Sequence, residues 1–581
     1  MDNRNFIAAV VVSLLILVGF HILYEKPQAE RLARERAAYA EAMKTAAPAP
    51  VALTSRSAEG PGPAVASAGA PSLRPRAAIV QDPDRVPLLA PELHGSLNKR
   101  GGRLDDVTLA RYRTTTEPDA PEVVLLSPAG TDLPDHPYYI ESGWLSAETP
   151  VPTATTLWES AQAALTPASP VTLRWKNGQG VTFERTVAVD DRFVVTVTDR
   201  ALNASDKTVT LYPFGLIARH GKPVTEDTYI LHEGPIGVLD GTLTEPTYKD
   251  LEKGGARTFT STGGWLGITD KYWLVALLPN QKEQLEARFA YDRAGATTPD
   301  GGVFQADVRG TAVSLAPGAS SERTLRFFVG AKRLRVLDSY ESLYDLPHFD
   351  RAIDFGWFYF LTKPFLYLLD FLGSWLGSLA VAIVIFTLML KLLTLPLSLR
   401  SYRSMARMKL LQPEITRLQE RFKDDRMQQG QAMMDLYRRE KVNPLSGCFP
   451  TLIQIPIFFA LYKVLYVGIE MRHAPLFGWI HDLSAPDPTS IFTLFGLIPA
   501  FPLIPHLGVW PILMGISMFI QQRLSPQPPD KNQARMFMFL PIIFTFMLAN
   551  VAVGLIFYWT LSNLLSLGQQ WYILKTARNA A

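Results

Sequence analysis

Hydrophobic and polar positions alternate on different periods in different parts of the chain. Phe6–Leu23 is an unbroken apolar run of 18 residues. It is long for the core of a cleaved signal, and Tyr24, Glu25 and Lys26 follow it in place of a small-residue cleavage site, so residues 1–25 read as an uncleaved signal anchor. From about Pro87 to Asp345 the pattern becomes short alternating runs divided by turn residues. Val171–Trp175 and Val181–Arg185 flank Asn177-Gly178, a hairpin signature, and Arg192–Thr198, Thr208–Tyr212, Tyr272–Leu278 and Thr324–Val329 extend the series. Many short strands without long helices between them predict an all-β sandwich over residues 81–348.

After residue 370 long uncharged runs take over and predict an α-helical polytopic membrane domain, residues 374–581, with five clustered spans at about 375–397, 449–467, 509–523, 536–552 and 554–573. Ile491–Gln522 lacks Asp, Glu, Lys and Arg over 32 residues but is broken by Pro499, Pro502, Pro505 and Pro511, so only its second part is expected to span. Asp350–Gly373 mixes aromatic residues with Asp354, Lys363 and Asp370, which predicts an interfacial amphipathic helix over 349–373; a core helix of the sandwich is the alternative. Within the span at 375–397 a single charge, Lys391, stands out. A charge at that depth costs several kcal/mol unless it reaches water, so it marks a functional site by default. Lys463 lies near the far end of its span, where a lysine can snorkel.

Charge adds direction. Residues 399–441 carry eleven Lys/Arg against six acids, a net of +5, which the positive-inside rule places in the cytoplasm. Met405, Met408, Leu411, Ile415 and Leu418 recur at helical spacing, Lys423-Asp424-Asp425 breaks the pattern, and Met427–Leu436 resumes it, so 399–441 reads as a cytoplasmic helical hairpin. The loop Glu470–Asp487 has one basic residue, Arg472. Together these put the sandwich outside the membrane and both chain ends inside.

Composition then removes possibilities. Residues 26–80, rich in Ala, Pro, Ser and Gly, read as a flexible linker. A lone cysteine, Cys448, excludes an intramolecular disulfide. No GxxxxGK[ST] loop, no metal-ligand cluster and no Ser/His/Asp order stands out, so no cofactor, no metal and no enzymatic activity are expected. His220, His232 and Glu233 read as surface or structural side chains.

The segments YRSMARMKLLQPEITRLQERFKDD, KVNPLSGCFPTLIQIPIFFALY, WIHDLSAPDP and GLIFYWTLSNLLSLGQQ resemble the YidC-type membrane protein insertases, in the longer branch of Gram-negative bacteria. The resemblance covers nearly the whole chain and is strongest over 350–575. It implies an inner-membrane insertase and chaperone with a large periplasmic domain, working without nucleotide hydrolysis. Its clustered helices would form a hydrophilic groove open to the cytoplasm and lipid but closed outside. The family's groove positions fall on Thr387, Lys391, Gln454, Tyr558 and Trp559. The family usually has arginine where this chain has Lys391, which keeps the charge and loses the bidentate fork, and commonly tyrosine where it has Trp559. In the hairpin, Arg403, Arg407 and Lys409 are expected to contact ribosomal RNA or anionic lipid, or simply to be solvated. Met405 and Met408 read equally as a soft docking surface or as the hairpin's own seam. The implied partners are nascent membrane proteins, the ribosome and signal-recognition components, the Sec translocon and membrane lipids, with no specific DNA binding. A transporter using Lys391 for a small anion, and a tethered envelope enzyme or sugar-binding protein acting through the sandwich, are the readings from other classes.

Overall fold

The computed structural model describes residues 74–132, 136–223, 231–293, 302–423, 425–440, 442, 449–496, 507–524 and 531–579. The expected anchor at Phe6–Leu23 and the expected linker up to residue 73 lie outside the described residues. The end of that linker is ordered, contrary to its composition: helix α1 (Arg76–Ile79) buries Ile79, Arg74 N donates to Gly130 O at 2.9 Å, and Arg76 is ion-paired with Asp106. Ile79 and the two arginines supply apolar area and ion pairs that the preceding Ala/Pro/Ser stretch lacks.

Two antiparallel sheets pack face to face. One runs Thr242–Thr244, Gly234–Leu239, Trp265–Thr269, Trp273–Leu278, Ser320–Ala331, Val194–Asn203, Val181–Val189 and Val171–Lys176 in spatial order. The other runs Arg85–Leu89, Leu93–Asn98, Arg103–Arg113, Tyr138–Leu145, Val209–His220, Val303–Gly310, Gln284–Asp292 and Arg257–Thr262, with Glu122–Leu126 and Val313–Leu315 paired alongside. Period-two burial drives this pairing. In Val181–Val189 every odd position is buried, so Phe183 and Val187 join Leu104, Ile140 and Ile217 of the other sheet in one core. The hairpin at Asn177-Gly178 forms as the sequence predicts: Trp175 pairs with Phe183, Gly178 takes φ 75°, and Asn177 Oδ1 accepts from Gln179 N and Val181 N. Helix α2 (Tyr248–Gly254) lies in a connection and is closed by a capping box from Thr247 and Asp250.

After the last strand come α3 (Leu334–Tyr344) and α4 (Tyr359–Leu376). Leu366, Leu369 and Leu372 bury one stripe of α4, while Trp357 just before it and Phe360, Phe371 and Trp375 along it stay exposed. Its charges face α3 and the turn Phe349–Ala352. Lys363 Nζ bridges Asp350 at 2.7 Å and Asp338 at 3.1 Å, and Asp370 pairs with Arg335. Gly377, in the left-handed region at φ 68°, ends the helix and lets the chain turn into α5.

Helix α5 (Leu379–Leu410) does not stop where the apolar run ends; it continues unbroken for 32 residues into the basic segment. The expected hairpin is therefore a continuation of α5 followed by α6 (Gln412–Arg421) and α7 (Arg426–Arg439). Nothing between Leu397 and Leu410 breaks a helix, and a change from apolar to basic residues alters solvation, not backbone preference. An ion pair from Arg439 to Glu414 at 2.9 Å joins α6 to α7. The remaining helices are α8 (Phe449–Val467), α9 (Val509–Leu524), α10 (Lys531–Met547) and α11 (Val553–Asn579). Among the described helices, Leu379–Met408 is the one long and apolar enough by itself to cross a membrane; Leu452–Val467 and Phe537–Met547 are shorter apolar helices.

Candidate functional site

Helix α11 lies among its neighbours, packed on α5 and α9 and touching α8. It carries no charge from Val553 to Leu574, yet Tyr558, Thr560, Ser562, Asn563, Ser566 and Gln570 are all buried on it. Buried hydroxyls and amides need partners, and α11 finds several across helix boundaries. Lys391 Nζ on α5 donates to Ser566 Oγ at 2.9 Å. Gln454 Nε2 on α8 donates to Tyr558 Oη at 2.8 Å. Asn563 Nδ2 donates to Ser517 Oγ on α9 at 3.0 Å. Three helices are thus tied to α11 by side-chain hydrogen bonds, and the lone charge of the apolar run is one of the ties.

The other residues expected from the resemblance to line a groove are placed differently. Thr387 lies one turn before Lys391 and is fully buried, its hydroxyl donating to Ile383 O at 2.6 Å. Trp559 turns its indole onto Phe458, ring centroids 4.6 Å apart, and onto Phe544 at 5.8 Å, an aromatic wall beside the polar contacts. Arg403 and Arg407 are exposed and Met405 and Met408 half-buried on the extension of α5; Lys409 is on the same helix, its side chain outside the described part. Sequence reasoning missed Ser562, Ser566, Asn563 and Ser517. The available signal was the spacing of Tyr558, Ser562 and Ser566 at four residues in an uncharged helix, which stacks three polar groups on one stripe.

One end of this helix cluster is covered by the loop containing WIHDLSAPDP. Asp487 accepts from Trp510 N at 2.8 Å and from Thr489 N at 3.0 Å, while Val553 N donates to Ala485 O at 2.8 Å and Gly554 N to Leu483 O at 3.0 Å. The loop therefore satisfies the first amides of both α9 and α11. Phe477 packs against Trp510 and Phe557 beneath it.

The same end meets the sandwich. Lys463, which the sequence reading left snorkelling toward water, forms an ion pair with Asp354 at 2.8 Å. Lys271 Nζ lies 3.9 Å from the Tyr466 ring centroid, and Arg472 donates to Arg113 O at 2.7 Å. Glu470 is only partly exposed and its Oε2 is buried without a hydrogen-bond partner; burial, with Asp370 adding to it, pushes the carboxyl up to about 7. Of the histidines and carboxylate weighed from the sequence, His232 Nε2 contacts Pro235 O at 2.9 Å, Glu233 accepts from Lys271 N at 2.8 Å, and His220 is buried in the sheet. Among the described residues no group of three His, Cys, Asp or Glu side chains is placed to hold a metal ion.

Residues 371–580 match the family described as 60Kd inner membrane protein, and residues 85–368 match the YidC periplasmic domain. The membrane protein insertase YidC of Methylorubrum extorquens (strain PA1) is 49% identical over 598 residues, covering 99% of this chain and 95% of that protein. The chain belongs to the YidC family. The membrane protein insertase YidC of Methylobacterium radiotolerans is 48% identical over 596 residues, again covering 99% of this chain and 95% of its own length. The crystal structure of an active YidC insertase with its first transmembrane domain resolved aligns over 85% of this chain and 93% of that one, at 16% identity and a TM-score of 0.35. The two YidC family matches meet within α4: the β-rich periplasmic domain with α3 falls in the first, and the helical region from α5 onward in the second.

Proposed function

We propose that this membrane protein insertase works through a polar groove bounded by α5, α8 and α11, with Lys391 as its charge. The observation that carries the reading is the Lys391–Ser566 hydrogen bond between two apolar helices, with the Gln454–Tyr558 bond on the same stripe of α11. A half-buried, hydrogen-bonded lysine between apolar helices is costly to keep and marks the path of a polar group.

An apolar substrate segment gains roughly 25 cal/mol per Å² on entering lipid, so the endpoint needs no assistance. The obstacle is the polar tail that must cross first. A groove lined by Gln454, Tyr558 and Lys391 shortens its path through hydrocarbon, and the ammonium attracts acidic groups on that tail. The apolar segment leaves past Trp559 and Phe458 into lipid. The loop Leu483–Asp487, fastened to the starts of α9 and α11, supports a groove closed on the periplasmic side. The five helical segments of the membrane region are taken as spans, with the sandwich periplasmic, and α6, α7 and the C-terminus cytoplasmic. The exposed arginines of the hairpin suit a nascent chain at the ribosome or signal-recognition components, and the lipid-facing helices suit a place beside the Sec translocon, where the protein also acts as a chaperone. None of these steps requires a nucleotide.

The test is insertion of a small single-span protein into liposomes holding the purified protein, scored by protease protection. Parent and Lys391→Arg should insert it, and Lys391→Ala should fall by at least about tenfold, the equivalent of 1.4 kcal/mol. Equal insertion by all three would sink the groove. Leakage of small anions without insertion would favour a transporter.

A further inference from the structure

Ser566 has a more specific part than that of a satisfied buried hydroxyl. Several hydroxyls in these helices bond the carbonyl four residues back: Thr387 to Ile383 O, Thr545 to Pro541 O and Thr560 to Ile556 O. Ser566 makes that bond too, donating to Ser562 O at 2.9 Å, and in addition receives Lys391. Its single proton is committed to its own helix. The oxygen therefore turns lone pairs toward α5, where it can accept from a cation and cannot donate to an anion.

The choice of acceptor matters. A carboxylate at this position would bind the ammonium more strongly and cancel its charge; a hydroxyl holds it by one donor and leaves the whole positive charge in place. An ammonium has three donors, so two remain for a carboxylate or carbonyl of a passing segment. Lysine's four-carbon stem has several rotamers, and one fixed contact on a buried neighbour reduces the number open to it.

We infer that Ser566 is the positioning residue for Lys391, and that the pair is set to receive tails carrying an acidic side chain. This rests on the groove reading above. Since Ser566 acts through Lys391, its contribution must vanish when the lysine is gone and must depend on substrate charge.

The experiment uses the full-length protein in liposomes and two single-span substrates differing by one Asp or Asn in the translocated tail. Ser566→Ala should lower insertion of the Asp tail about fivefold, the size of one ordinary net hydrogen bond, and change the Asn tail by less than twofold. Ser566→Thr, which keeps the acceptor, should restore the parent ratio. Adding Ser566→Ala to Lys391→Ala should change nothing further. Equal losses on both tails, or additive losses in the double variant, would show a packing role and overturn the inference while leaving the groove standing. Should Lys391→Ala insert both tails like the parent, the groove and the inference fall together. Thermal unfolding of each variant in detergent separates these outcomes from misfolding, and Ser566→Thr supplies the folded comparison if Ser566→Ala is unstable.

Discussion

The Lys463 ammonium lies 2.8 Å from the Asp354 carboxylate, tying the C-terminal end of α8 to the segment that leads from the sandwich into α4. Asp354 also accepts the backbone N–H of His232 at 3.2 Å, so one carboxylate joins α8 to the β domain. Both side chains are mostly buried. Removing one partner leaves the other charge unsolvated, which costs more than an exposed pair is worth.

Lys463→Met and Asp354→Asn should therefore each destabilise the protein by about 2 kcal/mol, and the double variant by less than their sum. Thermal unfolding in detergent at constant pH measures this; strict additivity would mean the two groups do not act as a pair.

Glu470 predicts a pH dependence at the same joint. Its carboxyl is held at about 7 against an ordinary 4.5, by burial first and then Asp370, with its own backbone N–H, Arg333 and Arg335 opposing. A carboxyl whose folded pKa is raised stabilises the fold below its unfolded value, and that stability is lost as pH rises through the folded value. Glu470→Gln should thus unfold at a higher temperature than the parent at pH 8, by the equivalent of about 2 kcal/mol, and approach it by pH 5. A gap that stays constant from pH 5 to 8 would exclude Glu470 as its source.

In the proposed groove, the Gln454–Tyr558 bond would separate stability from activity. Tyr558→Phe strands the Gln454 amide and should cost about 1 kcal/mol. Replacing both, as Gln454→Leu with Tyr558→Phe, should regain most of the stability and still insert substrate poorly. Insertion that returns along with stability would show that the polar lining is dispensable.

Close approach of α9 and α10 gives a further case. A Cβ on Gly515 would overlap Thr545 Oγ1, so Gly515→Ala must push the helices apart, at about 1–3 kcal/mol. Thr545→Ala in the same protein should remove most of that cost, read as recovery of the unfolding temperature. No recovery would place the strain elsewhere.

What could be read from the chain alone follows from where the determinants lie. The hairpin at Asn177-Gly178 and the alternation of Val181–Val189 are local, so they were visible. Lys391 was visible because one charge interrupts an apolar run, and the family motifs carried Gln454 and Tyr558. Ser566 was not, since a helical serine commonly satisfies itself on its own backbone and spacing cannot show which one also faces a lysine 175 residues earlier. Lys463 was read as snorkelling because its partner is 109 residues away in a different kind of structure. The continuation of α5 past Leu397 was hidden by a change in solvation that resembles a boundary and is not one.

That continuation has a mechanical consequence. A helix of 32 residues is about 48 Å long, whereas a hydrocarbon core is about 30 Å, so in the proposed topology α5 would project well beyond it as a rod. Lys391 and the exposed arginines at 403 and 407 are fixed to the same rod. Between them sits Pro396, whose ring removes one rung of the ladder and localises bending there. A load applied to the projecting end, such as a partner docking on Arg403 or Arg407, would act with leverage about that fulcrum. The quantity delivered at Lys391 would be a tilt, and its size would be set by the stiffness of the helix at one proline.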